Sequence, residues 1–180
     1  MIYGERIRLR AVEREDIPRF VEWLNDPEVI AGLLINLPMA SWDETRWFEN
    51  LVQRPAEERP LAVDAGQPDG SWTHIGNVGL HQIEWTNRTA EFGIFIGDKS
   101  YWNNGYGTEA TCLMLKHGFE TLNLNRIYLN VYETNPSAIR AYEKTGFVHE
   151  GKLRQSVYRN GQYIDALLMS ILRSEWDVKQ

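Results

Sequence analysis

The sequence predicts a mixed α/β (α+β) fold in a single domain over residues 1–180, with a mostly antiparallel central sheet of about seven strands flanked by about four helices. Three features predict it. Residues 7–12 alternate apolar and charged side chains, the period-two pattern of a half-buried strand. Residues 60–96 hold three strand-like runs separated by turn signals, which implies an antiparallel meander. A glycine-rich loop at 105–107 then leads into a helical repeat and a β-branched run, the pattern of a βαβ unit.

After the first strand, Asp16 and Pro18 suit a helix start, Phe20, Val21 and Leu24 give that helix an apolar face, and Asn25-Asp26-Pro27 ends it. The segment 29–40 is apolar and irregular. Ser41 and Glu44 form a capping-box pattern ahead of Trp47, Phe48 and Leu51, which predicts a second helix. Strands are expected over 60–65, 75–83 and 89–96, divided by Gly66-Gln67-Pro68-Asp69-Gly70 and by Thr86-Asn87-Arg88. Cys112, Leu115, Phe119 and Leu122 recur at helical spacing, and 126–132 reads as the strand that follows. Asn135-Pro136 opens another helix, which Gly146 is placed to end. Two last strands, 147–153 and 163–172, flank the turn Asn160-Gly161.

Composition narrows the function classes. At 43% hydrophobic and 24% charged residues the chain is globular, and 180 residues suffice for one core. No run approaches the roughly 18 apolar residues of a membrane helix, and the first twenty residues mix charges throughout, so a cytoplasmic protein with no membrane contact is expected. The single cysteine, Cys112, excludes an internal disulfide and a cysteine zinc cluster, and it reads as a core residue. His74, His117 and His149 show no metal-ligand spacing, so no metal is expected. A net charge of −6 without any cluster of Lys and Arg argues against a nucleic-acid partner.

The most informative segment is Trp102-Asn103-Asn104-Gly105-Tyr106-Gly107-Thr108-Glu109-Ala110, a glycine-rich loop running into a helix. Glycines let a backbone approach an anion closely, and the unpaired N–H groups and dipole of the first helical turn stabilise negative charge. A plain loop with a helix cap is the simpler alternative. Gly105, Gly107 and Ala110, with Glu133 further on, also fit the permissive dinucleotide-binding pattern. That pattern needs its glycines directly after a strand, whereas 97–104 intervene, and only a hairpin remains after the last helix.

With these residues the chain resembles the GNAT superfamily of N-acetyltransferases, within it the group containing ribosomal-protein-alanine and spermidine N-acetyltransferases. The resemblance covers nearly the whole chain: the opening Arg8-Leu9-Arg10, Ala90-Glu91-Phe92, the loop from Gly105 to Ala110, the segment from Asn135 to Phe147, and Asn160-Gly161-Gln162-Tyr163. It implies acetyl transfer from acetyl-CoA, as cosubstrate, to the primary amine of a small molecule or peptide, with a homodimer as the candidate assembly. The coenzyme would lie between two splayed strands, its pantetheine arm bonding the backbone of Ile94, Phe95 and Ile96 as an added strand does. Its pyrophosphate would sit on the N–H groups of Asn103, Asn104, Gly105, Tyr106, Gly107 and Thr108. Asn135 would touch the arm, a role compatible with capping the helix after it. Many members carry Gln or Arg three residues before the first loop glycine; Trp102 stands there in this chain, which is the one feature favouring an acyl-CoA-binding module without catalysis.

Tyr142 matches the family's tyrosine near the coenzyme sulfur, where a phenol of pKa about 10 could protonate a departing thiolate of pKa about 8.5. Packing in the core is its alternative role. Attack on a thioester also requires a neutral amine, and a lysine-like amine of pKa about 10.4 is neutral in roughly one molecule in 2,500 at pH 7. Glu91 is the candidate base, with a structural pair to Arg88 or Arg126 as its alternative, and His81 is a second candidate base that otherwise reads as a strand-end surface residue. The segment Ala31-Gly32-Leu33-Leu34-Ile35-Asn36-Leu37-Pro38-Met39 carries no charge, where spermidine acetyltransferases have acidic residues. It therefore favours a peptide N-terminus or an amino sugar over a polyamine as acceptor, unless these leucines only pack beneath the helices.

Overall fold

The computed structural model describes residues 1–35 and 37–178. In chain order its elements are β1 (Ile2–Tyr3), β2 (Ile7–Ala11), α1 (Ile17–Leu24), α2 (Ser41–Asn50), β3 (Leu61–Gly66), β4 (Trp72–Glu84), β5 (Thr89–Ile96), α3 (Tyr106–Lys116), β6 (Arg126–Tyr132), α4 (Pro136–Thr145), β7 (Val148–Arg159), β8 (Gln162–Leu172) and α5 (Arg173–Asp177). The strands form one eight-stranded sheet ordered β1-β2-β3-β4-β5-β6-β8-β7. Every joint is antiparallel except β5–β6, which is parallel because α3 carries the chain back across the sheet. The expected class therefore holds, with β1 and α5 as short additions at the two ends.

Successive residues of a strand face opposite sides, and here both sides are covered. One face packs Ile7, Leu9, Leu80, Phe92, Leu129 and Met169 with Ala110, Met114 and Leu115 of α3, while Tyr142 of α4 lies against the same cluster. The other face holds a second cluster, in which Phe20, Trp23 and Leu24 of α1 meet Trp47 and Phe48 of α2. Pro18 is preorganised for the first turn of α1, and Asn25 ends that helix as the sequence predicts. At α2 the cap falls one residue earlier than expected: the Ala40 N–H donates to the Asp43 carboxylate at 2.9 Å, so Ser41 is already helical. Glu44 is buried instead, and that burial, with Asp43 beside it, raises its pKa. Cys112 is half-buried on α3 and not a core residue. No helix of the described residues is long and apolar enough to cross a membrane, and among them no cluster of candidate metal ligands occurs.

A buried polar chain ties α1 to the sheet. Arg10 donates to both oxygens of Asp16 at 2.7 Å, and Asp16 lies 3.2 Å from Nδ1 of the buried His74 on β4. Arg8 and Arg10 also donate to one oxygen of Asp64 on β3, each at 2.9 Å. Burial by itself pushes the Asp16 carboxyl upward, but the hydrogen bonds from Arg10, His74 and the Glu13 N–H outweigh it and hold its pKa far below the usual carboxylate range. A carboxylate depressed in this way stabilises the fold above its unfolded pKa of about 4, and the contribution is lost as the pH falls below that value. Asp16→Ala should therefore cost about 1–3 kcal/mol in urea unfolding at pH 7, because Arg10 loses its two-oxygen partner and keeps only Asp64, while His74 loses the carboxylate beside it. The deficit against the unaltered protein should shrink steadily below about pH 4.

Candidate active site

The site begins with a break in the sheet. β5 and β6 pair only at Thr89–Arg126, Ala90–Ile127 and Glu91–Tyr128. Beyond these residues the two strands part, although β5 continues along β4 to Ile96 and β6 continues along β8 to Tyr132. The Gly97 N–H donates to the Ile75 carbonyl at 2.8 Å, and by the alternation of an antiparallel ladder Phe95 and Gly93 also bond toward β4. The peptide groups of Ile94 and Ile96 consequently face the gap. The Phe95 peptide groups face β4, so of the three residues expected to bond a pantetheine arm only two direct backbone toward the gap; the Phe95 ring packs edge-on against Trp23 at 6.2 Å. One of those groups has a partner already: the Trp102 indole donates to the Ile96 carbonyl at 2.7 Å.

The glycine loop closes the open end of the gap. Gly105 caps α3 at φ +84°, a left-handed conformation that glycine adopts without strain, and Asn103 also has positive φ. The first intrahelical bond runs from the Glu109 N–H to the Gly105 carbonyl at 3.0 Å, which leaves the N–H groups of Tyr106, Gly107 and Thr108 ahead of any intrahelical acceptor. Arg6 braces the loop: its backbone N–H and Nε both bind the Glu109 carboxylate (2.8 and 3.0 Å), and Nη1 donates to the Asn104 carbonyl at 3.0 Å. The pairing neutralises an acidic group beside the anion-attracting end of α3. Across the gap, Asn135 accepts from the Ala138 N–H at 3.1 Å as the cap of α4, and Ser137 donates to the Asn103 side chain at 3.2 Å. A peptide edge, a helix terminus and a space between two strands fit a long coenzyme whose arm carries amides and whose pyrophosphate is anionic.

Tyr142 packs edge-on against Phe92 at 6.1 Å and against Phe147 at 5.7 Å. Desolvation in these apolar surroundings pushes its pKa up to about 12. Glu91, next to Phe92 in the strand, projects to the opposite face. Its oxygens accept from Gln82 at 3.0 Å and Asn130 at 3.2 Å, and among the described residues Arg126 pairs with Glu150, so the alternative of an ion pair with Arg88 or Arg126 is not formed. His81 sits directly opposite Glu91 in the β4–β5 register. It is half-buried, not a surface residue, and desolvation, then the nearby Arg54 cation, lower its pKa.

The charge-free segment 31–39 is the later part of a loop, residues 25–39, closed at its neck by Asn25, whose side chain both donates to the Met39 carbonyl (2.8 Å) and accepts from the Met39 N–H (3.0 Å). Lys99 holds its early part through Asp26 at 2.7 Å and Glu28 at 2.9 Å. Leu33, Ile35 and Met39 pack on the α1–α2 cluster, as the simpler reading had it, whereas Leu34 and Leu37 are 80% and 76% exposed. Asn36 lies outside the described residues. Gly32 brings the loop against Asn135, since a Cβ there would stand 2.9 Å from Asn135 Nδ2. The sequence reading missed Arg6, Lys99, Gln82 and Asn130, and no local pattern marks them because their partners lie between 9 and 103 residues away.

Comparison with known proteins bears on this geometry. Residues 6–148 match the family model described as an acetyltransferase (GNAT) domain. The chain is 35% identical over 173 residues to a spermidine N(1)-acetyltransferase of Vibrio cholerae serotype O1, covering 96% of each. It is 29% identical over 179 residues to a putative ribosomal N-acetyltransferase of Bacillus subtilis, covering 97% of this chain and 95% of that one. A crystal structure of spermidine N-acetyltransferase from Vibrio cholerae in complex with CoA and spermine superposes with a TM-score of 0.84 at 32% identity, covering 96% of this chain and 99% of that one.

Gly107 offers a direct test of the loop. A Cβ there would meet only Ile96 Cγ1, at an ordinary 3.7 Å, so Gly107→Val should fold while placing a side chain where backbone is expected to meet phosphate. Acetyl-CoA at 100 times its dissociation constant should stabilise the unaltered protein by about 2.7 kcal/mol, and the variant should lose that thermal shift.

Proposed function

Because the chain belongs to the GNAT acetyltransferase family and is an acetyl-CoA-dependent N-acetyltransferase, we propose that transfer takes place in the gap between β5 and β6, to a primary amine presented beneath the 25–39 loop. The observation that carries this reading is the three-residue pairing of β5 and β6 followed by their separation beside the α3 terminus. Family membership sets aside the dinucleotide-binding oxidoreductase, and coenzyme release with an amine acceptor is the measurement that separates catalysis from a module that only binds acyl-CoA. The proposed catalytic unit is residues 1–180, since β7 and β8 complete the sheet that β6 enters. A homodimer is part of the proposal, with β7, exposed along most of its length at the edge of the sheet, as the surface for a second copy.

When bound, the coenzyme supplies the acetyl thioester. Ile94 and Ile96 align its arm, Asn103 to Thr108 hold its pyrophosphate, and Asn135 contacts the arm from the far side of the gap. Tyr142 is the proposed acid. With its pKa near 12 it stays protonated throughout the working range. Complete transfer to a thiolate of pKa about 8.5 would be uphill by about 5 kcal/mol, but the burial that raises the phenol raises a neighbouring thiol too. Tyr142 thus acts by a hydrogen bond that strengthens as charge develops on sulfur.

Glu91 is the proposed base on the opposite face, oriented by Gln82 and Asn130, with His81 across the strand as the second candidate. Direct transfer from a lysine-like ammonium to an ordinary carboxylate is uphill by about 8 kcal/mol, so a water relay or a substrate amine of lowered pKa shares the task. For the acceptor we favour a peptide N-terminus or an amino sugar, on the strength of the charge-free loop. A polyamine is the second reading, supported by the spermidine acetyltransferases among the relatives.

Tyr142→Phe should lower kcat by roughly 10² to 10⁴ while leaving acetyl-CoA affinity within a few-fold, measured as thiol release under saturating coenzyme. Glu91→Gln should slow the reaction most at low pH, where neutral amine is scarcest. A pH–rate profile displaced by one constant factor would assign the base elsewhere. Competition among spermidine, spermine, peptides and amino sugars at equal concentration decides the acceptor class, the highest kcat/KM naming it.

A further inference from the structure

Arg159, at the end of β7 beside the Asn160-Gly161 turn, reaches across to the 25–39 loop and donates to three of its carbonyls. Nη1 binds Ala31 at 3.1 Å and Leu33 at 2.6 Å, and Nη2 binds Ile35 at 3.1 Å. These contacts use Nη1 and Nη2, while Nε has no hydrogen-bond partner among the described residues. Nε and Nη2 share one edge of the guanidinium, in the fork spacing that suits a carboxylate or phosphate.

The charge points the same way as the geometry. Residues 31–40 contain no charged side chain, and among the described residues no carboxylate lies within 4.0 Å of Arg159. The acidic groups at this end of the sheet are engaged elsewhere, Glu133 and Asp165 with Lys152. Arg159 lines a cavity of about 370 Å³ together with Ile30, Ile35, Tyr158 and Asn160. The loop that lines this cavity also touches Asn135, at the flank of the gap, through Gly32, and the Arg159 cation is close enough to Tyr132, at the end of β6, to oppose the upward push of burial on that phenol. A partly buried cation that the protein leaves without a counterion gains most from an anion brought by a ligand.

Resting on the reading that the gap carries acetyl transfer to an amine, we propose that Arg159 selects the acceptor: latched by three carbonyls, it holds with its Nε–Nη2 edge a carboxylate or phosphate that the amine substrate carries. Asn160-Gly161 fixes the hairpin that delivers it, both residues adopting the positive φ of a tight turn. The proposal accounts for a motif to which the transfer chemistry itself gives no role.

The test compares matched acceptors: a dipeptide with a free C-terminus and its C-terminal amide, an amino-sugar phosphate and the unphosphorylated sugar, and spermidine. For the unaltered enzyme, kcat/KM should be about tenfold or more higher for each anionic member than for its neutral counterpart. Arg159→Gln can still donate to the loop but carries no charge, and it should cost the anionic members about 10- to 100-fold more than the neutral ones. Arg159→Lys keeps the charge without the fork and should fall between. Equal losses for anionic and neutral acceptors would make Arg159 a structural latch only and overturn the proposal, as would a preference of the unaltered enzyme for spermidine or the neutral amines. In either case acetyl transfer itself stands. If no amine is acetylated while acetyl-CoA still raises Tm, the acceptor reading fails and this inference with it.

Discussion

Where β5 and β6 part beyond Glu91, peptide groups that a continuous sheet would satisfy are left without a strand partner at a half-buried edge, and any that a ligand then buries costs about 1–3 kcal/mol unless it is paired. The chain answers this in two ways. The Trp102 indole takes the Ile96 carbonyl, which gives a structural role to the residue standing where relatives carry Gln or Arg. The remaining groups of Ile94 and Ile96 form a strand edge that an amide-bearing arm can complete. The gap is thus a defect in the ladder held open by everything around it: α3 starts at its mouth, α4 flanks it, and Arg6 and Ser137 pin the loops on either side.

The same break sets the electrostatics. Phe92 and Glu91 are neighbours on one strand and so face opposite sides of the sheet, which puts the phenol of Tyr142 in an apolar layer and the carboxylate of Glu91 among amides on the other. The proposed donor sits where ionisation is disfavoured, and the proposed base sits between two side-chain amides that orient it. Tyr142 and Glu91 thus lie on opposite faces of the sheet, next to the last pair that joins β5 to β6.

Stability and function draw on different polar groups. The chain of half-buried Arg8 and Arg10 with buried Asp16, Asp64 and His74 ties α1 to the sheet. The 25–39 loop is closed by Asn25 at the end of that helix, is tied by Lys99, just after β5, and is held at its tip by Arg159. Its backbone is therefore anchored at three points while Leu34 and Leu37 stay exposed, an arrangement suited to forming one wall of an acceptor site.

The sequence alone determined the elements whose causes are local. The alternation at 7–12, the Asn135-Pro136 start and Gly146 end of α4, the turn at Asn160-Gly161 and the glycine loop all specify backbone conformation within a few residues, and all appear where predicted. At α2 the competing local choices Ser41 and Ala40 differ by a single position, and the Asp43 side chain decided between them. What only the tertiary structure decided is every relation between distant segments. That Phe95 turns away from the gap follows from its register with β4, and that Glu91 meets Gln82 and Asn130 follows from a bulge in β4 and the short pairing with β6. Arg159 acquires its role only because a hairpin 124 to 128 residues downstream folds back over the loop. Periodicity reports which face a residue occupies, but contacts across the fold depend on strand order and side-chain reach, which no local pattern encodes.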